Sequence, residues 1–455
     1  MAQWDSVGGQ GLIGGTVNND PDSVPADERH ARQAEGLLAL VDRLGAVDSP
    51  YWRAKLAGVD RSEVATRGLD ALPFTTKAEM RDAFPFGMLA VPLADTVRIH
   101  ASSGTSGKPT IVAYTRGDIE LFAEVNARAI TLAGGRADDV LQVAYGYGLF
   151  TGGLGVHYGG ERLGASVVPA SGGNPGLQVQ LLADLGVAGL ACTPSFAMLL
   201  AERAAGDGLM ERIHLRYGVF GAEPWSESFR EKLEAAWGGI DACDIYGLSE
   251  VIGPGVAMEC REGKGALHVF DDHFMPEVVD PVSGRPMPRG ELGELVLTTL
   301  TKEAQPVLRY RTGDITRLVE GACPCGRGYQ RIARFTGRVD DMLIIRGVNV
   351  YPSAVEAALL GHPEVGHHYA LVVDRRGTMA ELEVWCEAAS DLGDGSDDVA
   401  RRLEHEMQGA LRLRVSVNLL PPNSIPRSEV GKVRRVYART DAEDPFATLM
   451  GFPKT

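Results

Sequence analysis

Ser102-Ser103-Gly104-Thr105-Ser106-Gly107-Lys108-Pro109-Thr110 gathers hydroxyls, two glycines and a lysine into one short stretch. It follows the alternating run Thr96-Val97-Arg98-Ile99-His100, which reads as a strand. Glycine lets a backbone turn without a Cβ clash, so several N–H groups can face one anion. Hydroxyls and an ammonium would complete a polyphosphate pocket; a plain surface turn is the competing reading. The spacing is not that of the kinase and GTPase loop, which has a longer gap between its glycines and Ser or Thr after its lysine. Here two residues separate Gly104 from Gly107, and Pro109 follows Lys108. Proline disfavours helix in the residue before it, so no phosphate-holding helix starts at Lys108. The stretch reads as a mobile clamp between two strands, the second being Ile111-Val112-Ala113-Tyr114.

Other residues could share the work. Tyr246-Gly247-Leu248-Ser249-Glu250 follows the apolar run ending at Ile245. An aromatic ring there can stack on a flat base, and a carboxylate just beyond it can hold Mg²⁺ beside phosphates. Gly221-Ala222-Glu223-Pro224 ends another expected strand, and α/β folds bind ligands at the carboxyl ends of parallel strands. Asp314, in Tyr310-Arg311-Thr312-Gly313-Asp314, could accept hydrogen bonds from a ribose diol, or be a solvated turn residue. Arg334 and Arg338 could offer a cation to phosphate or ribose. Gly431-Lys432 lies in a basic tail that, taken alone, reads as solvated surface.

Cys323-Pro324-Cys325-Gly326 is a close thiol pair at a tight turn. With Cys260 and His268 it could form a structural Cys3His zinc site. Reduced free thiols are the alternative, and His273 is a rival for the histidine position. Cys192, Cys243 and Cys386 sit in apolar runs and read as inert core thiols.

These residues need a scaffold of several elements. Residues 1–25 lack periodicity and read as a loose arm. A helical pattern runs over 25–56. Helices are expected at 118–132, 177–185, 195–204 and 226–237, and strands at 140–144, 189–192 and 217–220. Such alternation argues for parallel sheets covered by helices, an α/β fold. Beyond about residue 265 the pattern turns to hairpin-like strands at 267–270, 277–280 and 293–299, a barrel-like portion. After Arg338-Val339-Asp340-Asp341 a small α+β unit is expected: strand 342–345, helix 352–360, hairpin 369–373 with 381–387, helix 399–411 and strand 415–420. The expected division is therefore arm 1–25, main domain 26–338 and small domain 339–455.

Composition narrows the field. The net charge of −15 argues against nucleic acid or an anionic membrane as main partner. No run approaches the roughly 18 apolar residues of a membrane span. No basic segment with an apolar core opens the chain, and six cysteines in so long a chain suit a reducing cytoplasm.

Taken in order, Ser102–Thr110, Tyr145–Gly155 (YGYGLFTGGLG), Gly221–Trp225 (GAEPW), Tyr246–Glu250, Tyr310–Asp314 and Gly337–Pro352 (GRVDDMLIIRGVNVYP) resemble the phenylacetate–CoA ligase family. That family belongs to the adenylate-forming superfamily of acyl-CoA synthetases, peptide-synthetase adenylation domains and luciferase. The likeness spans about residues 50–435. It implies a large N-terminal domain and a small C-terminal lid, hinged near Asp340. It implies that a carboxylate attacks the α-phosphate of Mg·ATP, releasing pyrophosphate, and that a thiol, usually of coenzyme A, then displaces AMP. By the same resemblance Ser102–Lys108 hold the β/γ-phosphates, Tyr246, Gly247 and Ser249 border adenine, and Glu223 lies near the adenine edge. Glu250 binds Mg²⁺, Asp314 the ribose, and Arg338 ribose or phosphate. Lys432 reaches the carboxylate and α-phosphate, which revives the basic tail. Lid rotation then replaces Lys432 with the Arg346–Asn349 loop, where Gly347 leaves room for pantetheine. Dimerisation is a further family expectation.

The acid pocket is expected among Tyr145, Tyr147, Phe150, Gly152, Gly221 and Ala222. Aromatics and glycines make a flat slot suited to a ring, so the expected substrate is an aryl or arylacetic acid. Three rivals stand beside this: transfer to a carrier-protein thiol or an amine, an inactive ATP-sensing scaffold, and a Walker-type kinase. The loop spacing opposes the last, and the presence of Lys108, Glu250, Asp314 and Lys432 opposes the second.

Overall fold

The computed structural model describes residue 22 and residues 24–102, 109–339, 341–346, 348–377, 379–427, 433–440 and 442–451. Ser103, Gly104, Thr105, Ser106, Gly107, Lys108, Asp340, Gly347 and Lys432 lie outside them, as does the side chain of Asn349.

Helices α1 (Ala26–Gly45), α2 (Pro50–Lys55), α3 (Arg61–Arg67) and α4 (Lys77–Asp82) open the body. Of the arm expected at 1–25, Asp22 is tied to the body: it accepts hydrogen bonds from Arg327 Nε (2.9 Å) and the Tyr329 hydroxyl. Strands β1 (Thr96–Ala101) and β2 (Ile111–Thr115) then form an antiparallel hairpin. Its arms close on the glycine-rich stretch, where Ser102 N donates to Thr110 O at 2.9 Å.

Helices α5 (Arg116–Leu132), α6 (Gly152–Leu163), α7 (Pro175–Asp184), α8 (Pro194–Gly206) and α9 (Glu227–Ala236) alternate with strands. The strands are β3 (Val140–Val143), β4 (Ser166–Val168), β5 (Gly189–Cys192), β6 (Tyr217–Gly221), β7 (Asp241–Leu248), β8 (Gly253–Glu259) and β9 (Ala266–Val269). Strands β3–β7 pair in parallel, and β8 and β9 continue the sheet antiparallel. All residues of β5 and β6 are buried, which is why these strands are apolar throughout rather than alternating.

A smaller antiparallel sheet follows from β10 (Phe274–Val279), β11 (Gly293–Thr299) and β12 (Tyr310–Thr316). Strands β13 (Leu318–Val319) and β14 (Arg331–Ala333) return to the edge of the nine-stranded sheet, and β15 (Gly337–Arg338) pairs with β12. The run 267–270 therefore belongs to the large sheet, not to the barrel-like portion where its hairpin pattern suggested it.

The lid starts with the hairpin β16 (Leu343–Ile345) and β17 (Val348–Val350), then α10 (Pro352–Leu360). Its sheet combines β18 (Val365–Asp374) and β19 (Glu381–Ala388) with β20 (Ser416–Leu420) and β21 (Val436–Arg439). Helices α11 (Ser396–Leu411) and α12 (Pro445–Met450) complete it. The lid is docked on the body. Trp225 and Phe229 share one apolar cluster with Val355, Leu359 and Tyr369 of the lid. Ser226 N donates to Glu356 at 2.6 Å, and Lys232 Nζ to Val365 O at 2.6 Å. Among the described residues no helix is long and apolar enough to cross a membrane.

Several elements escaped the sequence reading, α3, α4, β4, β8 and α12 among them, and α6 shows why. Residues 152–163 form α6, although 145–155 read only as a pocket wall. Five buried glycines give this helix poor intrinsic propensity. Two of them are required by its closeness to α5: a Cβ on Gly155 would lie 2.4 Å from the Phe122 ring, and one on Gly159 would lie 2.4 Å from Asn126. Packing overrides propensity here.

Candidate active site

A crevice between the Gly221–Trp225 turn and the small C-terminal domain is lined by Pro194, Glu223, Trp225, Asp341, Tyr369 and Val433. Antiparallel pairing sets Asp314 opposite Arg338, and the Arg338 guanidinium donates to Asp314 Oδ1 at 2.7 Å. The Tyr246 hydroxyl donates to Asp314 Oδ2 at 2.6 Å. Burial, reinforced by the Asp314 charge, holds the Tyr246 phenol well above its ordinary range, so it stays a donor. Tyr246 packs one way against Phe335, with ring centroids 4.3 Å apart. Gly247 is obligatory at this crossing, since a Cβ there would stand 1.8 Å from the Gly253 carbonyl oxygen.

Glu250 is 4% exposed, and Lys77 Nζ lies 3.2 Å from its Oε1. Ser249 is buried and shares a 3.2 Å hydroxyl contact with Thr151, which joins this turn to the start of α6. Behind the hairpin lies Lys302, fully buried, its ammonium 5.1 Å from the Tyr114 ring centroid. Burial pulls this amine down to about 8, with Asp118 and Glu250 pulling the other way. The Ser102 and Thr110 hydroxyls, at the two ends of the clamp, and Lys302 Nζ are buried with no hydrogen-bond partner among the described residues.

Glu223 sits at the N-terminus of α8. Its Oε1 accepts from Ser195 N (2.7 Å) and from the Ser195 hydroxyl. Its Oε2 accepts from Val433 N of the lid at 3.4 Å. The residue next to Lys432 is thus held at the Gly221–Trp225 turn. Ala222, in that turn, has φ +70, a left-handed conformation that is strained for a residue with a Cβ. A Cβ on Gly221 would lie 2.2 Å from the Ile245 carbonyl oxygen, so only glycine fits beside β7.

Among the residues expected to line the acid pocket, Phe150 is 39% exposed. The Tyr147 hydroxyl lies 3.2 Å from His157 Nδ1. Gly152 begins α6. Tyr145 is a core residue whose hydroxyl donates to Val219 O at 3.3 Å. The Tyr145–Gly152 segment is pinned to the end of β1: Leu149 O accepts from Ala101 N (3.1 Å) and contacts His100 Nδ1 (3.0 Å).

Arg334 stands apart from Asp314. It donates to Glu227 (3.0 Å) and Trp225 O (2.5 Å) and lies 3.6 Å from Asp244. Arg346 has φ +51 in the β16–β17 turn and pairs with Glu381.

Cys260, His268, Cys323 and Cys325 place one ligand atom each within 4.8 Å of all the others. The Cys260 and Cys323 sulfurs are 3.5 Å apart, as are the Cys325 sulfur and His268 Nε2. A tetrahedron with zinc–sulfur bonds of about 2.3 Å has edges of about 3.7 Å, so the donors fit zinc. A Cβ on Gly263 would lie 2.5 Å from the Cys323 sulfur, so this loop must be glycine to wrap the cluster. His273, the rival ligand, instead contacts the Thr301 hydroxyl at 2.8 Å. Cys192, Cys243 and Cys386 are buried, as expected.

Sequence reasoning missed Lys77 and Lys302. A lysine opening a helix and one following a strand carry no local signal; only the folded arrangement brings both near Glu250.

The family model of the AMP-binding enzyme matches residues 40–300, and that of the AMP-binding enzyme C-terminal domain matches 347–439. A phenylacetate-coenzyme A ligase of Thermus thermophilus is 47% identical, over 91% of this chain and 97% of that protein. One of Escherichia coli is 48% identical, over 94% and 98%. A 2-hydroxyisobutyryl-CoA ligase in the postadenylation state, in complex with R3-HIB-AMP, superposes with a TM-score of 0.85 at 29% identity, covering 92% of this chain and 91% of that one. The same ligase in the thioesterification state scores 0.68 at 30% identity, covering 92% of each. The chain belongs to the AMP-binding enzyme family of adenylate-forming proteins, in its phenylacetate–coenzyme A ligase-like branch.

Proposed function

We propose that the protein is an AMP-forming ligase that activates an aryl or arylacetic acid with ATP and passes the acyl group to coenzyme A. The observation that carries this reading is the likeness, over nearly the whole of both chains, to proteins named phenylacetate-coenzyme A ligase. Tyr246 hydrogen-bonded to Asp314, and the buried Ser102 and Thr110 hydroxyls without a partner among the described residues, support it.

A carboxylate is a poor electrophile, and its anhydride with AMP is a good one. In the first half a carboxylate oxygen of the acid bonds to the α-phosphorus and the bond to pyrophosphate breaks. In the second the thiolate of coenzyme A bonds to the acyl carbon and AMP leaves with the former carboxylate oxygen. No protein nucleophile is needed. What the protein must supply is positioning and charge at the phosphorus.

We assign Ser102–Lys108 and Thr110 to the β/γ-phosphates, with Tyr246, Gly247, Ser249 and Glu223 around adenine, and Asp314 with Arg338 on the ribose. Glu250 would hold Mg²⁺, which spreads the phosphate charge. Arg334 we assign to fastening the body, since acceptors there already hold it. Lys432, beside the Glu223-bound Val433, would reach the α-phosphate in this lid posture. Asp340 is the hinge, and Arg346, Gly347 and Asn349 would line the thiol path after rotation. Tyr147, Phe150, Gly152, Gly221 and Ala222 would border the acid, with Tyr145 as its floor. Zn²⁺ would be held by Cys260, His268, Cys323 and Cys325 and would tie the β8–β9 edge to the 323–326 turn. A cytoplasmic homodimer completes the proposal, and light scattering tests the dimer.

The test is pyrophosphate release with ATP across a panel of aromatic acids, with and without coenzyme A. The expected result is release that depends on an arylacetic or aryl acid, and thioester only when coenzyme A is present. Release without any coenzyme A-dependent thioester would move the acceptor to a carrier thiol or an amine. No acid-dependent release across the panel would defeat the proposal.

A further inference from the structure

Glu202 of α8 and the adjacent His367 and His368 of β18 meet across the seam between body and lid. None of them belongs to the nucleotide, acid or Cys3His sites. Glu202 Oε1 lies 2.8 Å from His367 Nε2 and 3.5 Å from His368 Nε2. The three ligand atoms lie within 4.8 Å of one another. Neighbouring strand residues normally point to opposite faces. Here the β18–β19 register shifts between Val365 and Tyr369, and the two imidazole centroids are only 4.2 Å apart. The irregularity turns both rings toward one carboxylate. His368 Nε2 has no hydrogen-bond partner among the described residues. Arg427 faces the other oxygen of Glu202 at 3.9 Å. Arg427 is itself held by Glu387 through contacts of 2.7 and 2.9 Å, so Oε1 is left to the imidazoles.

Two imidazole nitrogens and a carboxylate oxygen are a donor set for zinc-class divalent ions, with water completing the shell. We propose that this seam binds such an ion, and that the bound ion clasps the lid in its adenylate-side posture. The clasp rests on the lid-rotation reading above. Two ligands ride on the lid and the third on the body, so rotation would pull the set apart. An ion that binds one posture alone biases the equilibrium toward it. At a free concentration ten times its Kd the other posture would be depleted about tenfold. The site would therefore slow thioester formation while leaving adenylation intact.

The experiment uses the full chain, first brought to a constant zinc content. Co²⁺ is titrated into wild type, Glu202→Gln and His367→Ala, followed by calorimetry and visible absorption. Wild type is expected to take one further ion, giving a weak d–d band without the strong charge-transfer band of a thiolate-bound ion. Both variants are expected to lose that event. Acid-dependent pyrophosphate release should be unchanged by the ion, and thioester formation from a supplied acyl-adenylate should fall about tenfold in wild type only. No further ion, or one bound equally by both variants, overturns the site. An ion bound by wild type alone that leaves thioester formation untouched overturns the clasp. Failure of pyrophosphate release before any Co²⁺ is added would count against the adenylation reading instead, so the two failures are separable.

Discussion

Lys302 is a fully buried lysine without a hydrogen-bond partner among the described residues. Its amine titrates near 8 in the folded chain, against an ordinary 10.5. The folded state thus binds fewer protons than the unfolded one between those two values, so stability rises with pH across that window. Below about pH 8 the buried cation costs the empty protein about 3 kcal/mol. Asp118 does not depend on it, being held by the Glu303 and Ala304 amides, and Glu250 keeps Lys77. Lys302→Met is therefore expected to stabilise the ligand-free protein at pH 7 by up to about 3 kcal/mol. Denaturant titration should show this advantage shrinking as pH rises toward 10.5. Equal stabilities at pH 7 would contradict the buried-charge account. At this scale the sequence was legible where residue types are rare in combination: Cys260 and His268 come together with the Cys323–Cys325 pair, whereas the Asp314–Arg338 ion pair was not foreseen. It was opaque for Lys77 and Lys302, because burial is a property of the fold and a lysine is ordinarily a surface residue.

Elements were legible where periodicity is strong. Helix α10 and strand β5 lie where they were expected, and α5, α8 and α11 differ only at their ends. Helix α6 was not legible, because the glycines that let it touch α5 remove its helical signature. The β8–β9 edge shows the reverse case, in which a sequence cue outside the sheet fixes its packing. Cys323 and Cys325, on a turn after β13, reach back to Cys260 and His268. If zinc joins them, protein prepared without chelator should hold about one zinc per chain by elemental analysis. Cys323→Ser should lose the metal and on the order of 4 kcal/mol of stability, the scale on which a structural metal registers. Wild type isolated without zinc, or zinc-loaded wild type no more stable than the variant, would contradict the assignment.

Across the whole molecule, the change of pattern near residue 339 pointed to a second, α+β unit. What one sequence could not reveal is the posture of that unit, which depends on contacts such as Val433 to Glu223 and Glu356 to Ser226. Those contacts bring the lid's basic segment to the body. Lys432→Ala should therefore lower adenylate formation by about 100-fold or more, the scale of losing one transition-state donor. It should leave thioester formation from a supplied acyl-adenylate within about twofold, because that half would use the rotated lid. Rapid-quench assays of the separate halves check this, and equal loss in both would contradict the alternating lid.

The central claim is that a carboxylate oxygen becomes bonded to the α-phosphorus of ATP. Phenylacetate labelled with ¹⁸O in its carboxylate, incubated with ATP, coenzyme A and the protein, tests it in one mass spectrum. The account predicts AMP carrying one ¹⁸O atom for each thioester formed. Label in inorganic phosphate beside unlabelled ADP would mean attack at the γ-phosphorus, and would contradict it.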